Sequence, residues 1–170
     1  AIPVSSATAL ADAMTAEGEA HILVDPNALN SGVLTIDGAV KDKTLDFAGN
    51  DAQVVLTDAA DGANVVITGI VDTDNTDATR VITEAGFDGN VTVADCSFVC
   101  GGTNYAGIKP VSGNITVEDC TFEGVGKSYA IYHSGQFDGS LKITGSTFKN
   151  LGSWAIMINN KITGSATVDN

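Results

Sequence analysis

Basic residues are scarce in this chain: eight Lys and Arg face 21 Asp and Glu, for a formal charge of −13. A surface that acidic repels phosphate backbones and anionic lipid, so nucleic acid is not an expected partner. No apolar run reaches the roughly 18 residues of a membrane-spanning helix, so membrane insertion is not expected either. Aromatics are 6% of the chain, which leaves any core to Val, Ile, Leu and Ala. Three prolines against 19 glycines exclude a collagen-like or proline-rich linker chain. Cysteine occurs three times, at Cys96, Cys100 and Cys120. An odd, small number is not a secreted disulfide framework. The start at Ala1 fits either removal of an initiator Met or cleavage of a signal peptide, and the odd cysteine count leans toward the first, with synthesis in a reducing cytoplasm.

What is present is a repeat. FDGNVTVADCSF from Phe87, SGNITVEDCTF from Ser112 and FDGSLKITGSTF from Phe137 are versions of one segment, and TGSATVDN from Thr163 begins another. Their apolar positions Val93, Val117, Ile143 and Val168 lie 24, 26 and 25 residues apart. A second segment (AGIKP, YAIYH, WAIMI) is centred on Ile108, Ile131 and Ile156 and keeps the same beat. Backward, Ile82 falls 26 residues before Ile108, Ile67 falls 26 before Val93 and Leu45 falls 22 before Ile67, with Val55 and Leu56 as its companion strand. Each repeat holds short strands separated by Gly, Asn or Asp, and no ten-residue helical stripe. A period near 25 is too short for a four-stranded propeller blade and lacks the helices of the helical and leucine-rich arrays. The expectation is an all-β chain, a right-handed parallel β-helix with coils of about 22–26 residues.

The side-chain pattern inside a coil agrees. Val91 and Val93 alternate with Thr92, and then the parity slips so that Cys96 and Phe98 become the next inward residues. A bend therefore belongs at Asp95, and Asp119, Gly145 and Asp169 take the same corner in later coils. Stacking predicts interior ladders of Cys96, Cys120 and Ser146, and of Phe98, Phe122 and Phe148. At the start, SSATALADAMTAEG reads as a short helix capped at Ser5 or Ser6, stopped near Gly18, and laid over the open first coil. HILVDPN then reads as the first strand. The organisation expected is a single domain over 1–170, with 1–19 as N-terminal cap, 20–170 as stacked coils and a C-terminal end without a cap.

ITVEDCTFEGV followed by a small-residue turn and AIYH resembles the pectin-lyase-like β-helix superfamily, as do the Ser/Ala-rich opening helix, HILVDPN, GVLTIDGAV and KTLDFAGN. The resemblance spans nearly the whole chain. It implies the fold, and it leaves open polysaccharide lyases, polysaccharide hydrolases, bacterial adhesins and phage tailspike or decoration proteins.

Superfamily lyases use a basic residue to remove a proton beside a uronate carboxylate. Arg80 is the one arginine here, lies beside Val81 and Ile82, and is expected to face outward without catalytic duty. Of the hydrolase motifs of the superfamily, Asp-Asp and Gly-His-Gly do not occur, and Asn-Thr-Asp stands without them at residues 75–77. Asp95 and Asp119 stack at a spacing that suits a carboxylate pair, but turn chemistry already accounts for them. Asp72, Asp74 and Asp77 in DTDNTDATR are a weak alternative as calcium ligands; the loop fails the EF-hand pattern, which wants Gly at its sixth position, where Asp77 stands. No metal or other cofactor is therefore expected. Cys96 and Cys120 are read as interior packing, not nucleophiles. No catalytic residue is assigned, and the chain is not expected to be an enzyme.

The remaining feature is an outward row. With Ile108, Ile131 and Ile156 inside, Lys109, Tyr132 and Met157 face out in one stack, and Trp154, two residues before its strand, joins them as a binding candidate placed partly inside, like Tyr129. The expected function is a non-catalytic structural or adhesive module on a bacterial surface or phage virion. It would contact other protein chains, as a homo-oligomer or part of a surface or capsid assembly, or glycan. A lyase or hydrolase fragment and a glycan-binding module are the alternatives.

Overall fold

A computed structural model describes residues 1–18, 20–25, 33–39, 41–59, 63–73, 78–102 and 104–169. The chain winds as a parallel β-solenoid of about 5 turns. Strand β1 (Ile2–Val4) and helix α1 (Ala7–Thr15) come first. One sheet then collects β2 (Ala20–Val24), β4 (Lys43–Asp46), β6 (Asn64–Thr68), β8 (Asn90–Ala94), β11 (Ser112–Glu118), β14 (Asp138–Thr144) and β17 (Ala166–Asp169), with β1 at its edge. A second sheet stacks β3 (Val33–Ala39), β5 (Gln53–Ala59), β7 (Val81–Thr83), β10 (Ile108–Pro110), β13 (Ile131–His133) and β16 (Ile156–Ile158). The third holds β9 (Ser97–Cys100), β12 (Thr121–Gly124) and β15 (Thr147–Lys149). Every strand pairing recorded among the described residues is parallel.

Parallel strands joined by a full coil stack equivalent residues about 4.8 Å apart. Ile22, Leu45, Ile67, Val93, Val117, Ile143 and Val168 form one continuous column in the first sheet. In the second, Val54, Val81, Ile108, Ile131 and Ile156 form another. Phe98, Phe122 and Phe148 stack with ring centroids 5.1 Å apart at both steps. Cys96, Cys120 and Ser146 are all buried, and the Ser146 hydroxyl accepts from the Cys120 amide at 3.2 Å.

The corner is where the alternation slips. Gly69, Asp95, Asp119 and Gly145 hold φ of 73°, 51°, 50° and 58°, the left-handed region in which Gly is unstrained and Asp is tolerated. One such residue per coil turns the chain from the first sheet to the third while keeping both faces inward.

The helix is as the sequence reads. Ser6 caps it, its hydroxyl accepting from the Ala9 amide at 3.2 Å, and Leu10 and Met14 are buried against the first coil. Two expectations are corrected. The first strand is β1, ahead of the helix, because Ile2, Pro3 and Val4 pair with Ile22, Leu23 and Val24. Ile82 is not the inward partner of Ile108: Val81 is, and Ile82 pairs with Lys109 on the outer face. This coil is one residue longer than the spacing assumed, and in a strand a one-residue shift exchanges the faces.

Two substitutions check the ladder and the corner by chemical denaturation. Phe122→Ala removes the middle ring of the aromatic column and is expected to cost about 3–5 kcal/mol. Asp119→Gly, at a corner that glycine occupies elsewhere, is expected to stay within about 1 kcal/mol of the parent. A large loss from Asp119→Gly would contradict the assignment of the aspartate to turn geometry.

Candidate functional site

Strands β5, β7, β10, β13 and β16 present one outward row: Val55, Ile82, Lys109, Tyr132 and Met157. Lys109, Tyr132 and Met157 in this row are each half-buried. A groove of about 240 Å³ crosses the row, lined among others by Gln53, Thr79, Asn104, Lys109, Tyr132 and Ser134. Its chemistry is one ammonium, two amides, two aliphatic hydroxyls and a phenol beside an aromatic wall. The Tyr129 ring meets that of Tyr132 at 5.1 Å and 43°, which fixes the wall's tilt.

Of the four residues picked out from the sequence, Lys109 and Tyr132 come together in this groove. Met157 stacks on Tyr132 in register. Trp154 does not lie partly inside: it is 63% exposed, at the turn leading into β16. Gln53, Thr79, Asn104 and Ser134 escaped notice because most lie in or beside turns, where the repeat gives no phase. For Gln53, one residue ahead of the inward Val54, the strand register was the available signal; Thr79, two ahead of Val81 and 4% exposed, shares the inward parity.

Arg80 does not face outward. It is 3% exposed and sits in an ion triad. Its Nε lies 2.9 Å from Asp51 Oδ1, its Nη2 donates to Asp51 Oδ2 at 2.9 Å, and the same Nη2 donates to Asp72 Oδ1 at 3.2 Å. Val71 pairs with Ser97, so Asp72 stands directly below Phe98, on the rung where the aromatic column would otherwise continue. Its second oxygen accepts from the Val99 amide at 3.2 Å. A buried carboxylate is tolerated only with partners of this kind. Asp72 thus serves the arginine and a backbone amide; Asp74 and Asp77, the other carboxylates of the weak calcium alternative, lie outside the described residues.

The other candidate reactive groups also have structural surroundings. Asp95 and Asp119 are the exposed corner residues. The Cys96 thiol is pushed well above its ordinary range by its hydrogen bond with Cys120 and by burial. Burial likewise pushes Cys100 up to about 12. Both are neutral thiols at neutral pH, and thiols are weak nucleophiles until ionised. Lys43 is buried at a position of the first-sheet ladder between Ala20 and Val65, and its Nζ donates to the carbonyls of Ala16 at 2.7 Å and Gly18 at 2.6 Å, just beyond the end of α1.

His133 faces the interior at the end of β13, 9% exposed. Its Nε2 lies 3.1 Å from the Gln136 carbonyl and therefore carries the proton, leaving Nδ1 buried without a hydrogen-bond partner. Burial lowers its pKa below the ordinary 6.5; the Gln136 contact opposes this, and the nearby Lys109 charge adds to the lowering.

No family model matches the chain, and neither the curated proteins nor the solved structures contain a significant match to it.

Two predictions follow from these environments. Arg80→Met removes the cation beside the buried Asp72 and is expected to cost about 3–5 kcal/mol in urea unfolding, much of it regained when Asp72→Asn is added. An effect below about 1 kcal/mol would mean that the triad does not hold the coil. For His133 the folded state favours the neutral ring, so its contribution is intact above pH 6.5 and is lost as pH falls from 6.5 through the lowered value. His133→Leu should flatten that part of the stability–pH curve, and an unchanged slope would assign the dependence to other groups.

Proposed function

We propose that this chain is a non-catalytic structural or adhesive module of the right-handed, pectin-lyase-like β-helix kind, displayed on a bacterial surface or a phage virion, which engages protein or glycan through the outer face of the six-stranded sheet. The observation that carries the reading is the groove containing Lys109 and Tyr132. It combines an aromatic wall, an ammonium and neutral hydrogen-bonding groups on a backbone that stacked hydrogen bonds hold still. Such a surface can bind without changing shape, which keeps the ordering cost of association low. Aromatic walls with polar rims suit sugar rings and protein side chains alike.

The positions of the charged and nucleophilic groups also support it. Arg80 is ion-paired in the interior, Asp95 and Asp119 occupy corners, and the Cys96 and Cys100 thiols are buried and protonated. Each has a structural duty that accounts for its presence without substrate chemistry.

The test is binding and turnover measured on one set of ligands, a panel of neutral and uronate-containing polysaccharides together with isolated bacterial envelopes. The expected result is retention without release of reducing ends or unsaturated sugars, weakened about tenfold, or about 1.4 kcal/mol, by Tyr132→Ala or Lys109→Ala. Released product would favour a lyase or hydrolase fragment and contradict the proposal. Retention indifferent to both substitutions would remove the groove from it.

A further inference from the structure

In a solenoid, position in sequence becomes position along the axis, and here the charge is divided along it. Residues 1–100 carry 16 acidic and three basic side chains; residues 101–170 carry five of each. Four of the 16, Glu19, Asp61, Asp74 and Asp77, lie outside the described residues, and the remaining 12 still outnumber the three cations four to one. Two of those three, Lys43 and Arg80, are buried, which leaves Lys41 as the one exposed Lys or Arg among the described residues of this half. The N-terminal coils are thus strongly negative, and the C-terminal coils balance both signs.

The polar-tipped aromatics follow the same division. Tyr105, Tyr129, Tyr132 and Trp154, all the tyrosine and tryptophan of the chain, lie in the charge-balanced half. Among the described residues, so do the two most exposed large apolar side chains, Trp154 at 63% and Val125 at 56%. Val125 and Trp154 lie on one edge of the solenoid. They belong to the turns that join β12 to β13 and β15 to β16, which stack on each other: Glu123 pairs with Lys149, and the Ala130 and Ile131 amides both donate to the Ala155 carbonyl at 3.0 Å. That places Leu151 over Val125 and Trp154 over Tyr129, with Glu123, Lys127 and Lys149 beside them.

We infer that this edge is a self-association surface, and that two copies of the chain meet there through their C-terminal coils with their acidic N-terminal coils pointing apart. The inference rests on the reading of the chain as a module that works through contacts, and it names one partner and its geometry. Charge selects the partner. A polyanion gains nothing from a surface with five charges of each sign, and a basic partner is drawn to the acidic coils. A second copy fits: a two-fold contact needs a patch complementary to itself, and an apolar edge flanked by a carboxylate and two ammonium groups can supply both halves of each ion pair. Charge also selects the geometry. Parallel side-by-side packing, as in a trimeric bundle, would bring the acidic coils of every copy together, whereas an arrangement through the C-terminal coils holds them at opposite ends.

The experiment is sedimentation equilibrium of the intact chain at about 10 mM ionic strength, where charges interact over about 30 Å, and again at about 150 mM. A dimer present at both, roughly doubled in length by solution scattering, is expected. Trp154→Glu and Val125→Asp, each with an unchanged circular dichroism spectrum, should each weaken it at least about tenfold, and Leu23→Asp at the acidic end should leave it unchanged. A monomer at all concentrations overturns the inference, as does a dimer seen only at the higher salt, or one lost with Leu23→Asp and kept with both other variants. A monomer that still binds in the polysaccharide and envelope assay would sink this inference alone; product released there would sink the functional reading and leave the dimer standing.

Discussion

In-register parallel pairing is the constraint from which the rest of this structure follows. Every side chain in a coil sits about 4.8 Å from its equivalents above and below, so a residue's closest neighbours resemble it in position and must be compatible with it in chemistry. Inside, that favours unbroken columns of aliphatic residues and a stack of three phenylalanines. Outside, it brings like charges together where Asp37 pairs with Asp58 at a register shift, while other outward rows avoid this. Glu118 stands between Ala94 and Thr144, Lys142 between Thr116 and Thr167, and Glu123 between Val99 and Lys149. At the corner, Asp95 and Asp119 do stack. There the left-handed backbone restricts the choice of residue, and exposure to solvent screens the repulsion.

Lys and Arg enter the interior where the winding departs from the regular repeat. Lys43 lies in the coil next to the helix and ties the end of α1 to the first sheet. Arg80 and Asp72 stand at the foot of the aromatic column, where no phenylalanine continues it. His133 occupies an inward position in the same strand that carries Tyr132 outward, so the floor of the groove and the interior ladder share one short segment. Arg80 and Asp72 look like candidates for chemistry in the sequence. In the structure they hold an irregular turn of the solenoid, and plainer groups line the groove on its surface.

The fold was legible because its signals repeat. The period of the apolar residues, the parity slip before Cys96, the Asp/Gly corner and the Ser6 cap each rest on local chemistry, and each takes the expected place. What was not legible depended on single events. Arg80 was expected outside because it borders two strand residues, although Asp72, 26 residues before Phe98, is in phase with the aromatic column. Ile82 was placed on the wrong face because its coil is one residue longer than the spacing assumed. The candidate site was half visible: Lys109 and Tyr132 follow from strand parity, while Asn104 and Ser134 come from turns that carry no period. The axial division of charge was present in the residue counts, but it acquires meaning only once the chain is known to wind in one direction along an axis.

The most direct test of the ladder itself is a set of proton–proton contacts measured by NMR in solution. The account predicts close contacts linking Val93 to Val117 and Val117 to Ile143, together with ring contacts from Phe98 to Phe122 and from Phe122 to Phe148. Contacts from Thr92 to Val117, or any antiparallel pairing of these strands, would place the side chains on the wrong faces and contradict it.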